Sequence, residues 1–337
     1  MTDLSNEPLV WLAKVVLVLA GLLSTAALMS LAERKVSAWM QYRIGPNRVG
    51  PFGLLQPLAD AVKFIFKEEV VPAGANPLLF RLAPAIAATP ALLTIAVIPF
   101  AGNVILFGKD FGRLSIADLD VGIVYLLAIG SLGVYGVILG GWASNSKYSL
   151  LGGLRASAQM ISYELTLILS ILAVIAVAGS LDLRAIADAQ PTIQQWHVWR
   201  QPLAFVLFVI ATFAETNRHP FDFAECEPEL VGGFHTEYSA MRFGLFFTGE
   251  YAAMTVMACL TTTLFLGGSS VPFLPDAHWA IGFAAFLAKT SFFLFLFLWV
   301  RWTLPRFRFD QLMKLGWKTF LPLSLANLVL TGVLISW

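Results

Sequence analysis

The stretch WLAKVVLVLAGLLSTAALMSL, residues 11–31, decides the fold class, because it is long enough to cross a membrane and nearly free of charge. Lys14 is its one charged residue. A helix crosses the bilayer core with roughly 20 apolar residues. The run is too long for a signal-peptide core, and no small-residue cleavage pattern follows it. We therefore expect it to be a retained first transmembrane helix.

The composition extends this expectation to the whole chain. Its 337 residues are 58% hydrophobic and 13% charged, whereas a soluble domain carries about 25% charged residues. The net charge of +1 gives no argument for a nucleic-acid partner. Cys226 and Cys259 form no CxxC motif, so neither a disulfide framework nor an iron–sulfur site is indicated. We predict an all-α integral membrane protein, with residues 1–337 forming one polytopic membrane domain.

Eight apolar stretches are predicted to cross the membrane, of which the fifth is short and the sixth long. The predicted spans are 9–31, 78–101, 121–143, 158–179, 202–217, 239–267, 279–303 and 319–336. Lysine and arginine are concentrated in the loops that follow the odd-numbered spans, so the positive-inside rule places those loops in the cytoplasm, or in the matrix of a mitochondrion. These predicted cytoplasmic loops are 32–77, 144–157, 218–238 and 304–318.

The first of these loops contains an amphipathic helical pattern at Gln56–Glu69. Its apolar side chains share one helical face: Leu58, Val62, Ile65 and Phe66. Its charged side chains share the other: Asp60, Lys63 and Lys67. Such a helix lies in the plane of the membrane interface. It either anchors the loop or gates a molecule that enters sideways from lipid.

Four charged side chains fall inside predicted spans, namely Glu164, Glu215, Glu250 and Lys289. Each costs about 2.5–3.5 kcal/mol at the bilayer centre on insertion scales, so it needs a partner, water or a function. Glu215 is predicted at the cytoplasmic end of its span, Glu164 about six residues into its own span, and Glu250 near the midplane. The loop before the sixth span adds further acids: Asp222, Glu225, Glu227, Glu229 and Glu237.

Two interpretations of these acids are open. Each glutamate could be paired with a lysine or arginine on a neighbouring helix. Alternatively, acids at graded depth could hold or pass protons, because burial and like charge raise the pKa of a carboxyl group. Lys289 could be a counter-ion or a member of such a relay. The five glycines of the third span are predicted to serve close helix packing: Gly130, Gly133, Gly136, Gly140 and Gly141.

No pattern for a redox cofactor or a bound metal is found in the sequence. None of the four histidines is predicted in mid-span, where a pair of haem ligands would be required. No phosphate-binding glycine motif is present either. If the protein takes part in redox chemistry, we expect a partner to supply the electrons.

Four segments, all on the predicted cytoplasmic side, carry a resemblance to a known family. They are ERKVSAWMQYRIGPNRVGPFGLLQPLADAVKFIFKE (33–68), GWASNSKYSLLGGLRASAQMISYE (141–164), ETNRHPFDFAECEPELVGGFHTEY (215–238) and RWTLPRFRFDQLMKLGWKTFLPL (301–323). They resemble the quinone-site membrane subunit of respiratory complex I, the proton-pumping NADH:quinone oxidoreductase. Cys226 and Pro228 depart from the family pattern, while the acids beside them are retained.

The resemblance implies a role that the residues alone do not name. In that family the subunit forms part of a quinone chamber with the peripheral-arm subunits, one of which carries the terminal iron–sulfur cluster. Quinone, here expected to be ubiquinone, enters from the bilayer, and its reduction drives proton translocation in antiporter-like subunits. NADH, FMN and the iron–sulfur clusters are expected on partner subunits, with small membrane subunits and the lipid bilayer as further neighbours.

The resemblance also assigns roles to residues. Those expected around the chamber and its entrance are Glu33, Arg34, Arg43, Asp60, Phe221 and Arg301. Those expected to relay protons or charge are Glu164, Glu215, Asp222, Glu225, Glu227 and Glu250.

Two other functions and two locations are weighed beside this one. A stand-alone ion-coupled transporter would show matched broken helices in an internal repeat, and no repeat is found. The membrane subunit of energy-converting hydrogenases is a related alternative that resembles the four segments less closely. The full-length outer loop at Asp182–Arg200 favours the inner membrane of a bacterium over that of a mitochondrion.

Overall fold

The computed structural model describes residues 2–3, 7–224, 227–272, 274 and 278–336, and at 2–3 and 227–228 the backbone alone. The chain is 72% helical. The α-helices of the described part are α1 (Pro8–Met40), α2 (Gln56–Phe66), α3 (Pro77–Thr94), α4 (Gly122–Ala143), α5 (Lys147–Ala178), α6 (Leu183–Asp188), α7 (His197–Arg200), α8 (Pro202–Glu215), α9 (Glu227–Leu230), α10 (Ala240–Phe265), α11 (Trp279–Thr303), α12 (Phe309–Leu315) and α13 (Leu321–Ser336). Short 3₁₀ turns lie at Pro51–Gly53, Ile95–Val97, Ile193–Gln195 and Gly233–His235, and a π-helical turn at Gly316–Phe320 joins α12 to α13.

Seven helical segments among the described residues are long and apolar enough to cross a membrane. They contain α1, α3, α4, α5, α10, α11 and the continuous segment Phe309–Ser336. The shorter apolar helix α8 corresponds to the predicted fifth span. The prediction of an all-α membrane protein with about eight membrane helices is therefore confirmed.

Several helix ends differ from the predicted ends. Helix α1 continues to Met40, beyond the predicted end at 31, because residues 32–40 contain neither proline nor glycine. Helix α5 begins at Lys147 rather than 158. The glycines near its start are tolerated because they lie against other backbone; a Cβ at Gly152 would lie 2.6 Å from Phe234 N. The second span stops being helical at Val97 rather than 101, since Pro99 cannot donate the next helical hydrogen bond.

The amphipathic helix forms as α2, although it ends at Phe66 rather than at the predicted Glu69. The four side chains of its apolar face, Leu58, Val62, Ile65 and Phe66, are all exposed. A face of this kind needs an apolar surrounding. Its position in the membrane interface therefore remains the prediction that best accounts for it.

A small β-sheet was not predicted. It consists of β1 (Thr2–Asp3), β2 (Asn103–Leu106) and β3 (Lys109–Arg113) in the order β1-β3-β2. Strand β3 pairs in parallel with β1 and antiparallel with β2, with Ile105 opposite Asp110. Phe107 and Gly108 form the tight turn with φ of 50° and 74°. Strands this short carry too little periodicity to be recognised in the sequence.

The glycines of the third span serve two purposes. A Cβ on Gly136 would lie 2.4 Å from Ala87 N, and one on Gly141 would lie 2.5 Å from Ser149 O, so these two bring α4 close to α3 and α5. Gly140 is tight against Phe246 at 3.1 Å. The packing role is wrong for Gly130, where a Cβ would meet nothing within 4 Å, and Gly133 has only a distant contact at 4.0 Å. Both of these residues line a cavity instead.

The outer end of α10 is capped by side chains from elsewhere in the chain. Lys289 Nζ donates hydrogen bonds to the carbonyl oxygens of Leu266 at 2.7 Å, Gly268 at 3.1 Å and Ser270 at 2.7 Å. Gln190 Nε2 donates to the carbonyl oxygen of Leu264 at 3.2 Å. The last carbonyl groups of a helix have no partner within it. Lys289, open in sequence to a role as counter-ion or relay member, thus holds the carboxyl end of α10.

The α3–α4 contact predicts a strong effect of one methyl group. Gly136→Ala should lower the free energy of unfolding by about 1–3 kcal/mol, because the new Cβ overlaps the backbone of Ala87. Thermal unfolding of the detergent-solubilised protein measures this. Gly130→Ala is the matched control on the same helix, where the new methyl group has open space. Equal midpoints for the two variants would contradict the packing role of Gly136.

The cap on α10 gives a second prediction. Lys289→Met should lower the free energy of unfolding by roughly 2–3 kcal/mol, because buried carbonyl groups lose their donor. Lys318→Met, at an exposed position, is the control and should leave the thermal midpoint unchanged. A midpoint for Lys289→Met that matches this control would show that the three hydrogen bonds do not support α10.

Candidate functional site

Five residues from four parts of the chain form a hydrogen-bonded charge group, here called the Glu33 cluster: Glu33, Arg218, Glu250, Tyr251 and Arg301. Glu33 Oε2 accepts from Arg218 Nη1 at 3.0 Å and from Tyr251 OH at 2.8 Å. Its Oε1 lies 2.8 Å from Arg301 Nη1. Arg218 Nε lies 2.6 Å from Glu250 Oε1. One arginine therefore contacts two carboxylates.

The cluster is deeply buried and balanced in charge. The Arg218 side chain is 5% exposed, that of Glu33 11% and that of Glu250 17%. The Arg218 guanidinium also lies over the Tyr251 ring, 4.3 Å from its centroid. Removing ions from water costs several kcal/mol each, and good geometry with opposite charges offsets that cost. Two acids and two arginines satisfy this condition here.

A cavity of ≈ 130 Å³ lies on the other side of Glu250, and is here called the acid cavity. Helices α3, α4, α5 and α10 form most of its wall, and residues 215–217 close it. Glu164, Glu215 and Glu250 all line it. Glu215 Oε2 has no hydrogen-bond partner among the described residues, and neither Glu164 nor Glu215 lies within 4 Å of a described basic nitrogen. The ion-pair interpretation therefore applies to Glu250, but not to these two acids in the described part of the chain.

Glu250 belongs to both arrangements. One of its oxygens contacts Arg218 of the Glu33 cluster, and its side chain also lines the acid cavity. It is the residue through which a charge change at Glu33 can reach Glu164 and Glu215 electrostatically. Coulomb interactions over such distances are strong in a low-dielectric interior.

The loop after α8 is held in place by a buried amide. Gln159 Nε2 on α5 donates to the carbonyl oxygens of Ala214 at 2.8 Å and Phe221 at 2.7 Å, and to Asn217 Oδ1 at 3.2 Å. Pro220 prevents this segment from continuing as a helix. The amide of Gln159 thereby fixes the backbone that carries Arg218.

The other predicted chamber residues lie in different surroundings. Arg34 Nη1 forms an ion pair of 2.8 Å with Asp60 Oδ2 and joins α1 to α2. Arg43 is exposed on the loop after α1. Phe221 is buried, with its ring stacked on Phe307 at 5.9 Å between centroids. Three of the six predicted chamber residues, Glu33, Arg301 and Phe221, are thus buried or half-buried, and only the first two belong to the Glu33 cluster.

The acids of the loop are only partly described. Asp222 Oδ2 lies 2.9 Å from Arg306 Nη2. Glu225, the side chain of Glu227, and Cys226 lie outside the described residues. Their predicted roles in a relay therefore stay predictions.

Sequence reasoning missed the central cation of the site. Arg218 enters the sequence-based prediction only as a charge that orients the membrane, although it is a single base within an acid-rich segment, which is the available signal. Tyr251 was missed because a tyrosine in an apolar helix carries no distinguishing pattern. His219 is a further one: burial and the charges of Arg306 and Arg301 lower its pKa, so its imidazole is neutral at pH 7.

The described residues contain no group of three or more His, Cys, Asp or Glu side chains placed to hold a metal ion. Cys259 is free and buried. The chemistry available to the site is therefore that of carboxylates, arginines and a phenol. Such groups bind, orient and exchange charge or protons.

Comparison with known proteins identifies the family. The model of the family described as NADH dehydrogenase matches residues 13–332. The first of the H-type subunits of the NADH-quinone oxidoreductase of Geobacter metallireducens is 54% identical, covering 98% of both chains. The eighth subunit of the Rhodothermus marinus enzyme is 50% identical over 97% of each chain, and the H-type subunit from Leptospira biflexa is 51% identical over 94% of this chain and 92% of its own. The resemblance carried by the four segments is confirmed. The chain therefore belongs to the family of H-type subunits, the multi-pass membrane subunits of the enzyme NADH-quinone oxidoreductase, respiratory complex I.

Proposed function

We propose that this subunit forms part of the quinone chamber and passes the charge change of quinone reduction into the membrane through Glu250. The observation that carries the proposal is the double position of Glu250, against Arg218 on one side and in the acid cavity on the other. A residue so placed responds to both environments. No other described residue both pairs with Arg218 and lines that cavity.

The chamber side of the site comprises Glu33 and Arg301, with Arg34, Arg43, Asp60 and Phe221 around it and its entrance. The exposed apolar face of α2 supports an entrance from lipid, because a quinone with an isoprenoid tail approaches along an apolar surface. The ion pair of Arg34 with Asp60 attaches this helix to α1. Helix α2 is then the gate, rather than an anchor alone.

The relay comprises Glu250, Glu215 and Glu164, with Asp222, Glu225 and Glu227 leading to it from the loop. Reduction of quinone to quinol takes up two electrons and two protons. Electrons that arrive before protons leave negative charge in a low-dielectric chamber, which is costly. A negative chamber attracts the guanidinium of Arg218 and Arg301 and weakens the hold of Arg218 on Glu250. Glu250 then gains affinity for a proton, which it takes from the acid cavity.

The setting of the subunit follows from its family. We place it in the inner membrane of a bacterium, beside small membrane subunits and antiporter-like subunits that translocate protons. Peripheral-arm subunits hold NADH, FMN and the iron–sulfur clusters, and the terminal cluster delivers electrons to a quinone, which we take to be ubiquinone. The redox groups belong to those partners, and this chain contributes binding and charge transfer.

Glu215 tests the relay. Glu215→Gln should leave NADH oxidation by ferricyanide unchanged, because that reaction bypasses quinone. It should lower quinone-dependent turnover or proton translocation roughly tenfold or more, as expected when a proton-carrying group is lost. The measurement uses the purified complex in proteoliposomes with a pH-sensitive dye. Glu229→Gln is the control, since Glu229 is exposed and pairs with Arg155. Full coupled turnover in Glu215→Gln would remove Glu215 from the pathway.

Arg218 tests the charge balance of the cluster. Arg218→Gln should destabilise the complex by about 3–5 kcal/mol, because it leaves buried carboxylates without a counter-charge. Adding Glu250→Gln should recover part of this loss, since the double variant removes one charge of each sign. Arg155→Gln, in an exposed ion pair, should cost only about 0–1 kcal/mol.

Thermal unfolding of the assembled complex gives the three stabilities, and proton uptake gives coupling. The double variant should regain stability while its coupling stays impaired, which separates the structural role of Arg218 from its role in charge transfer. Normal coupling in the double variant would contradict the proposal that the Arg218–Glu250 pair transmits the charge change.

A further inference from the structure

A second cavity lies between α1, α10 and α11, and is here called the outer cavity. Its volume is ≈ 150 Å³. Its lining includes Gly21 and Thr25 of α1, Thr255 and Cys259 of α10, and Ser291 of α11. It shares no lining residue with the acid cavity. The two cavities therefore lie against different faces of α10.

The lining of the outer cavity is apolar in effect. No charged residue lines it. The hydroxyl groups of Thr25 and Thr255 donate to carbonyl oxygens of their own helices, Gly21 O at 2.8 Å and Tyr251 O at 2.9 Å. A buried water requires two to four polar partners, whereas an apolar cavity of about this size stays dry and takes up apolar molecules. The chemistry of the wall selects a hydrocarbon occupant.

The cavity opens towards lipid between α1 and α11. Leu17 and Leu287, at its rim, are 56% and 46% exposed. A Cβ at Gly21 would meet nothing within 4 Å, so this glycine leaves the wall of the cavity open. Both rim residues lie within helices that are long and apolar enough to cross the membrane. The medium at this rim is therefore the acyl-chain region of the bilayer.

We infer that the outer cavity is a binding site for one acyl chain of a membrane phospholipid, which packs against the face of α10 opposite the acid cavity. The shape and apolar wall would also admit an isoprenoid tail. A phospholipid is favoured because Glu33, at the predicted chamber, lies twelve residues from Gly21 along α1, about 18 Å away at 1.5 Å per residue. The occupant is thus distinct from the substrate of the proposed chamber.

Photo-crosslinking of the complete complex tests the site. The complex is placed in vesicles of phosphatidylcholine that carries a diazirine in the middle of one acyl chain, and cross-linked peptides are mapped by mass spectrometry. We expect adducts on peptides that contain Thr25, Cys259 and Ser291. Absence of label from the Cys259 peptide, where α10 is otherwise shielded from lipid, would overturn the proposal.

Variants at Gly21 supply the control for surface labelling. Gly21→Phe should fill the cavity and lower Cys259 labelling roughly tenfold, which corresponds to about 1.4 kcal/mol of binding free energy. Gly332→Phe on α13 also adds a ring in open space, and should leave the labelling of Cys259 unchanged. If Gly21→Phe fails to assemble, Gly21→Leu makes the same test with a smaller side chain. Equal labelling in the Gly21 and Gly332 variants would contradict the site.

Competition distinguishes the two sources of an apolar chain. Excess unlabelled phospholipid should reduce the Cys259 adduct, whereas excess long-chain quinone should not. Displacement by long-chain quinone, but not by a short-chain analogue, would assign the cavity to the isoprenoid tail and overturn the phospholipid assignment. This experiment reads out binding alone, so its failure leaves the proposed charge transfer through Glu250 unaffected.

Discussion

The guanidinium of Arg218, enclosed between the carboxylates of Glu33 and Glu250, constrains the arrangement of the helices around it. A buried ion is tolerated only while its counter-charges stay within a few ångströms, because the low-dielectric interior magnifies both attraction and the cost of an unpaired charge. Helix α1 brings Glu33, α10 brings Glu250 and Tyr251, and the loop after α8 brings Arg218. Three elements distant in sequence must therefore keep a fixed mutual distance. Gln159 maintains part of that geometry by binding the backbone of the loop.

Helix α10 is the element on which the other features of the molecule meet. Its outer end is held by Lys289 and Gln190, so that end is fixed. Its middle, around Glu250–Cys259, has the acid cavity on one face and the outer cavity on another. Side chains beside a cavity have fewer packing contacts to hold them in one arrangement. The fixed end and the loosely packed middle allow the Glu250 region to adjust to a change of charge without disturbing the rest of the helix.

The sequence was sufficient for features that depend on long patterns. Hydropathy predicted the eight membrane helices, and four long motifs identified the family. It was insufficient where the outcome depends on which residues meet in space. The pairing of Glu250 with Arg218 joins residues from separate segments, and no spacing rule links them. Gly130 and Gly136 illustrate the same limit: both occur in one glycine-rich helix, yet Gly136 contacts the backbone of Ala87 and Gly130 opens onto a cavity. Lys289 carried a charge signal, but only the fold shows that its partners are carbonyl oxygens.

An ion pair and a role in charge transfer do not exclude each other at Glu250. A carboxylate held by a buried arginine stays ionised while that arginine stays near, and becomes a proton acceptor in effect when the arginine is drawn away. Arg218 is already shared between two acids, so a small displacement towards Glu33 changes the field at Glu250 without breaking every contact of the cation. Glu215 lacks a hydrogen-bond partner for Oε2 among the described residues and faces the same cavity, so it is placed to respond to that field. The paired acid is then the sensor and the unpaired acids are the carriers, and this division follows from where the single cation of Arg218 lies.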